Sequence, residues 1–294
     1  MIAEFDLFGN EIIRDELLRE KFIEPPFSIL DTKSGNWQRR KKLWISKGLK
    51  SEVGRDSKAI QSGTDMYRKI SEKEGYDNKD NYVSVFDPAL CEVLYHWFCE
   101  DGGTILDPFA GGSVRGIVAN YLGYKYTGID IRDEQIQSNR EQALKILSIK
   151  NQPQWYLGDS NELLKNKWST KFDLLMSCPP YADLEVYSDL EGDISNKPYK
   201  IFLELYESII QKSCNLLKSG GYACFVVGEV RDKNGFYIGF VPDTIKAFEK
   251  CGMKFYNEAI LLNPIASASM RANGNMKSKK LVKVHQNILV FKKP

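Results

Sequence analysis

An apolar run, Phe172 to Met176, stops abruptly on Ser177-Cys178-Pro179-Pro180-Tyr181. Two consecutive prolines remove two backbone donors and fix φ, so the chain leaves the strand and turns stiff carbonyls outward. Cys178 adds a thiol, and Tyr181 adds a ring face on which a flat ligand can lie. A second stretch able to do chemistry is Asp107-Pro108-Phe109-Ala110-Gly111-Gly112-Ser113, between an apolar segment at Thr104–Leu106 and a helix beginning near Val114. Glycines between a strand and a helix let a cofactor approach bare backbone. A carboxylate at that strand end suits a ligand with an ammonium group better than a phosphate. Asp130 follows the next strand, the position about 20 residues on from which a carboxylate holds ribose hydroxyls in nucleotide-binding folds. Asp159 ends a third. Each Asp alone is equally well a helix cap. Together they describe a site for a cationic amino-acid head, a ribose and an exocyclic amine, which is S-adenosylmethionine rather than NAD or ATP.

The elements that must hold these residues are legible from about Tyr82 onward. Strands are expected at 104–106, 126–129, 155–157, 174–176, 222–227, 259–262 and 285–291, alternating with helices at 133–147, 199–217 and 242–250. Ser219-Gly220-Gly221 is expected to stop the 199–217 helix. That alternation predicts an α/β domain with a mainly parallel sheet. The final pair is joined by a basic connection without an evident helix, which predicts a terminal antiparallel hairpin. Residues 1–80 are more charged, with Pro25-Pro26 and one clear helix near Trp37–Lys47; they are expected to form an N-terminal extension with a join near 75–80, and residues 81–294 the main domain.

The 43% hydrophobic content suffices for a buried core, and the apolar runs fall short of a membrane span. The acidic start of the chain does not resemble a secretory leader, so a cytoplasmic protein without membrane association is expected. The six cysteines form no C-x-x-C pair and the only histidines are His96 and His285, so no metal is expected and the thiols are expected reduced. The net charge of +2 excludes nothing by itself, but basic residues crowd two places. One holds Trp37, Arg39 and Arg40; the other holds Arg271, Lys277, Lys279 and Lys280. Both are expected to touch DNA, the second chiefly at phosphates.

The glycine turn at 107–113 followed by Cys178-Pro179-Pro180-Tyr181 resembles the paired signature of the DNA amino-methyltransferases, which act on cytosine N4 or adenine N6. That family carries an Asp-Pro-Phe-x-Gly-Ser-Gly type turn and a motif of Asp, Asn or Ser followed by Pro-Pro and an aromatic. The resemblance runs from about Tyr82 to the C-terminus, with Phe86-Asp87-Pro88 similar to a further cofactor-contacting segment. Residues 25–55, 177–189 and 227–237 also resemble methylase-like proteins carried by bacteriophages. The resemblance implies a class I methyltransferase (Rossmann-like) fold and S-adenosylmethionine as cofactor. It implies cofactor contacts from Phe86, Asp107, Pro108, Phe109, Ala110, Gly111, Gly112, Ser113, Asp130 and Asp159. It also implies a catalytic corner of Cys178, Pro179, Pro180 and Tyr181.

An exocyclic amine is a poor nucleophile because its lone pair is delocalised into the ring. In the family, the side chain before the prolines and the first proline's carbonyl, here Pro179, accept its hydrogens and free the lone pair. Tyr181 offers a face to a base swung out of the duplex. Two departures stand out: Gly112-Ser113 replaces Ser-Gly, and Cys178 replaces a stronger acceptor. Ser177-Cys178 is near-isosteric with the pairs of the cytosine N4 branch, which favours cytosine slightly. Three alternatives remain at this stage. Cys178 could add to pyrimidine C6 and activate C5, although neither His nor Lys adjoins it. The chain could be a non-catalytic DNA-binding module of the same fold. RNA, which ranks behind DNA, could be the substrate.

Overall fold

Strand, helix and strand follow one another through most of this computed structural model, which describes residues 15–50, 86–165, 168–181, 188–263 and 268–294. In chain order the elements are α1 (Asp15–Phe22), β1 (Ile29–Asp31), α2 (Gly35–Ser46), α3 (Pro88–Phe98), β2 (Thr104–Asp107), α4 (Val114–Tyr121), β3 (Lys125–Asp130), α5 (Asp133–Ile146), β4 (Gln154–Leu157), α6 (Ser160–Leu163), β5 (Phe172–Ser177), α7 (Tyr199–Leu216), β6 (Leu217–Val227), α8 (Phe240–Lys250), β7 (Lys254–Leu262), α9 (Ala268–Lys277) and β8 (His285–Lys292). One eight-stranded sheet has the order β1-β7-β8-β6-β5-β2-β3-β4. All neighbours pair in parallel except β8, which runs antiparallel to both β6 and β7. This is the expected mainly parallel, Rossmann-like sheet with its antiparallel end.

The central strands β2, β3, β5, β6 and β8 are buried on both faces, so their apolar residues alternate between two cores. Ile105, Leu174, Cys224 and Ile288 point to the side covered by α2, α3, α4 and α5. Leu106, Leu175, Phe225 and Leu289 point to the side covered by α7 and α8. Helix α3 starts with Asp87 as its cap, accepting from the Ala89 amide at 2.9 Å, and Pro88 in the first turn. It is buried along most of its length because α2 lies over it.

Residues 15–50 are tied to the sheet and to α3. Strand β1 pairs with β7 in register Ile29–Ile260 to Asp31–Leu262, and Trp37 and Trp44 sit in the core against α3. The join expected near 75–80 lies outside the described residues.

Two local expectations need correction. Helix α7 ends at Leu216, and β6 begins at once, so Gly220 and Gly221 lie inside β6 rather than stopping a helix. The reason is pairing: Gly220 N–H donates to the Lys293 carbonyl and Lys293 N–H to Gly221, both at 2.9 Å, where the β5 register also shifts. The connection before β8 contains helix α9, because Ala268, Met270, Arg271, Ala272 and Met276 are good helix formers and a single interior Gly274 costs only about 1 kcal/mol.

Candidate active site

The chain passes from β2 out to β3 and β4, then returns to β5 on the other side of β2. The carboxyl ends of β2 and β5 therefore flank the switch point, where an open α/β sheet leaves a crevice. The glycine turn leaves β2 and the Pro-Pro corner leaves β5, so both open onto one cleft. Phe86, Pro108, Phe109, Gly111, Asp130, Asp159, Cys178, Pro179, Pro180 and Tyr181 all line it. Gly192 and Asp193, beyond the undescribed residues 182–187, line it too. Of the residues expected there, Asp107, Ala110, Gly112 and Ser113 do not.

Asp107 is the main correction. It is fully buried and held by four donors: Arg115 Nε at 2.5 Å, Ser177 Oγ at 2.5 Å, Tyr126 OH at 2.7 Å and the Phe109 amide at 3.1 Å. Its charge answers Arg115 and is not presented to a ligand. Burial works against the Arg115 charge, but Asp107 outweighs it and holds the guanidinium pKa above its usual value. Arg115 Nη2 also donates to the Phe109 and Ala110 carbonyls at 2.6 and 2.8 Å, and its guanidinium lies 4.7 Å from the Phe86 ring centre. It lines the cleft and buckles the glycine turn into shape. Sequence reading missed it, although an arginine inside the apolar run Val114–Tyr121 asks for a buried partner.

Gly111 takes φ +50°, a left-handed conformation that glycine adopts without strain. Its N–H donates to Asp130 Oδ2 at 2.8 Å, and Arg132 N–H donates to Asp130 Oδ1 at 2.9 Å. Each carboxylate oxygen keeps capacity for a further donor. Burial raises the Asp130 pKa despite those two bonds. Asp159 caps α6 through Oδ1, which accepts from Asn161 N–H at 2.7 Å, while Oδ2 has no partner among the described residues. Ser160 Oγ donates to the Pro108 carbonyl at 2.5 Å, tying this turn to the first.

Across the cleft, the Tyr181 hydroxyl meets Cys178 Sγ at 3.6 Å, accepts from Gln286 Nε2 at 2.7 Å and lies 3.5 Å from the Val226 carbonyl. The ring meets Phe240 edge-on at 6.0 Å. Cys178 and Phe86 also line a second, smaller cavity with Thr32, Gln38, Lys41, Asn263 and Gln286. Residues of the N-terminal segment and from β7 to β8 thus border the Pro-Pro corner.

Trp37, expected at DNA, is 1% exposed, with its indole N–H on Asp87 Oδ2 at 3.1 Å, so no ring face remains for a base. Arg40 makes a two-pronged bond to Glu92 at 2.9 and 2.7 Å, which ties α2 to α3. Arg39 is exposed and bonds Asn36. Arg271, Lys277 and Lys279 are exposed on and after α9, and Lys280 is partly so. Glu229, just after β6, accepts from the Gly239 and Phe240 amides at the start of α8, and Arg231 stacks on Tyr237.

The model of a DNA methylase family, N6_N4_Mtase, matches residues 20–141. No curated protein matches the sequence. Among solved structures, TrmN from Thermus thermophilus is similar at 15% identity and a TM-score of 0.47, over 71% of this chain and 49% of that one. The chain therefore spans about half the length of TrmN. Precorrin-6y C5,15-methyltransferase from Geobacter metallireducens is similar at 12% identity and 0.48, over 74% and 96%. Magnesium protoporphyrin IX methyltransferase from Synechocystis, solved with bound SAM, is similar at 14% and 0.44, over 80% and 93%. Over residues 20–141, which run from the end of α1 into α5, the chain is similar to the DNA methylases.

Proposed function

We propose that the chain methylates an exocyclic base amine in DNA, cytosine N4 ahead of adenine N6, with the base swung out of the duplex. The observation that carries this reading is the joint lining of one cleft by Gly111 and Pro179, with Cys178 and Phe86 shared with the smaller cavity beside it.

The residues fit the cofactor. Asp130 keeps acceptor capacity for ribose hydroxyls, and Asp159 Oδ2 can accept from an adenine amine. Ile129, Ile131 and Ile209 supply apolar walls for the purine. Arg115, with Nη1 unbonded among the described residues, offers a cation to the carboxylate of the amino-acid head, which replaces the expected contact of Asp107 with its ammonium. When bound, S-adenosylmethionine supplies a methyl group activated by a sulfonium.

The chain's own residues do the rest. The Pro179 carbonyl accepts one amine hydrogen, and the Pro-Pro corner holds that carbonyl still. Tyr181, fixed through its hydroxyl, presents its ring to the base. The smaller cavity receives the base edge, with Lys41 and Asn263 as donors. DNA contacts come from the exposed cations of α9 and the turn after it rather than from Trp37.

A calorimetric titration with S-adenosylmethionine, followed by transfer of a labelled methyl group to duplex DNA, tests this reading. Cofactor binding without transfer would instead favour the non-catalytic module.

A further inference from the structure

The catalytic corner lacks a good side-chain acceptor, because Cys178 stands where a carboxylate, amide or hydroxyl would be stronger. One acceptor, the Pro179 carbonyl, leaves the second amine hydrogen unassigned, and a half-engaged amine keeps its lone pair in the ring. The structure assigns that second acceptor to Gln286, on β8. This inference rests on the amine-methylation reading and deepens it.

Gln286 lines the same small cavity as Cys178. Its Nε2 donates to the Tyr181 hydroxyl at 2.7 Å, and Cys178 Sγ lies 3.6 Å from that same oxygen. The phenol has the Val226 carbonyl at 3.5 Å to receive its hydrogen, so it accepts from Gln286 rather than donating to it. That orientation fixes which end of the amide is engaged. The nitrogen is held, and the carbonyl oxygen has no partner among the described residues. Gln38, the other glutamine in the cavity, donates its amide N–H to the Thr32 carbonyl just after β1, at 2.6 Å. Of these two glutamines, Gln286 is the one bonded to Tyr181.

In the transfer, the nitrogen–carbon bond forms as the sulfur–carbon bond breaks and its electron pair stays on sulfur. The nitrogen then loses one proton to water. The carbonyls of Pro179 and Gln286 accept both amine hydrogens up to that point, so the lone pair is localised when the methyl group arrives.

The test compares wild type, Gln286→Leu, Cys178→Asp and Cys178→Asp/Gln286→Leu, measuring kcat and KM on DNA, cofactor affinity by calorimetry and melting temperature. Gln286→Leu should lower kcat about 100-fold, with cofactor affinity and melting temperature unchanged. Cys178→Asp restores a strong acceptor beside Pro179, so the double variant should regain at least about tenfold of the lost kcat. A Gln286→Leu protein that keeps its kcat overturns the assignment. So does one whose cofactor affinity and melting temperature fall with kcat, or a double variant without recovery. A wild-type protein that binds cofactor and methylates no DNA removes the underlying reading, and this inference with it.

Discussion

Replacing Asp107 by Asn separates the structural role found here from the cofactor role its position suggests. The side chains of the Asp107–Arg115 pair are 0% and 6% exposed, so solvent screens neither charge. Removing one partner of such a pair leaves the other charge buried and uncompensated, at about 3–5 kcal/mol. Asn retains the shape and can still accept from Ser177 or Tyr126, so poorer packing contributes little. With an unfolding entropy of about 2.1 cal/mol/K per residue, a chain of 294 residues carries about 0.6 kcal/mol/K. The melting temperature of the cofactor-free protein should therefore fall by about 5–8 °C. The assay is thermal unfolding of wild type, Asp107→Asn, Arg115→Met and the double variant, all without cofactor. The double variant should lose less than the two single losses added, because no charge is left unpaired. If Asp107 were instead held ready for a ligand's ammonium, relieving it of an unanswered charge would leave the melting temperature unchanged or raised. That result would refute the assignment.

Other consequences follow from the same geometry. Burial raises the Asp130 pKa, so the folded state holds that proton more tightly than the unfolded chain, and the associated stability is lost as pH rises from the ordinary 3.8 through the raised value. Asp130→Asn should therefore gain stability over wild type as pH climbs through that window, while its calorimetric affinity for S-adenosylmethionine falls. Trp37→Ala should destabilise by about 3–5 kcal/mol in denaturant titration, as expected for a core residue. Changing Lys277, Lys279 and Lys280 together to Ala should weaken binding to every duplex alike and lower the salt slope by about 0.9 for each phosphate no longer neutralised; an unchanged slope would remove this segment from the interface. Cys178→Ser should keep amine methylation, whereas chemistry through a thiolate adduct would vanish.

Much of the fold was legible because the central strands are buried on both faces and several end on chemistry. Leu174–Met176 and Tyr222–Val227 read as strands from apolar content alone, and the Gly111 and Pro179 turns mark the exits of β2 and β5. Strand β1 was not legible: three residues beside Pro25-Pro26 show no periodicity, and only pairing with β7 makes them a strand. Trp37 and Trp44 misled because they sit among cations, yet their spacing of seven places them on one helical face, the stripe expected to face a core. Arg115 in its apolar run signalled a buried partner without saying which, and the meeting of Gln286 with Tyr181, 105 residues apart, depends on how the strands are ordered in the sheet, which sequence order does not reveal.

The most direct test of the central claim is mass analysis of nucleosides from duplex DNA incubated with the protein and S-adenosylmethionine carrying a labelled methyl group. A cleft that joins the Gly111 turn to the Pro179 corner predicts label on an exocyclic amine, as 4-methylcytosine or 6-methyladenine. Label on pyrimidine C5, or DNA left unlabelled by a protein that binds the cofactor, would contradict it.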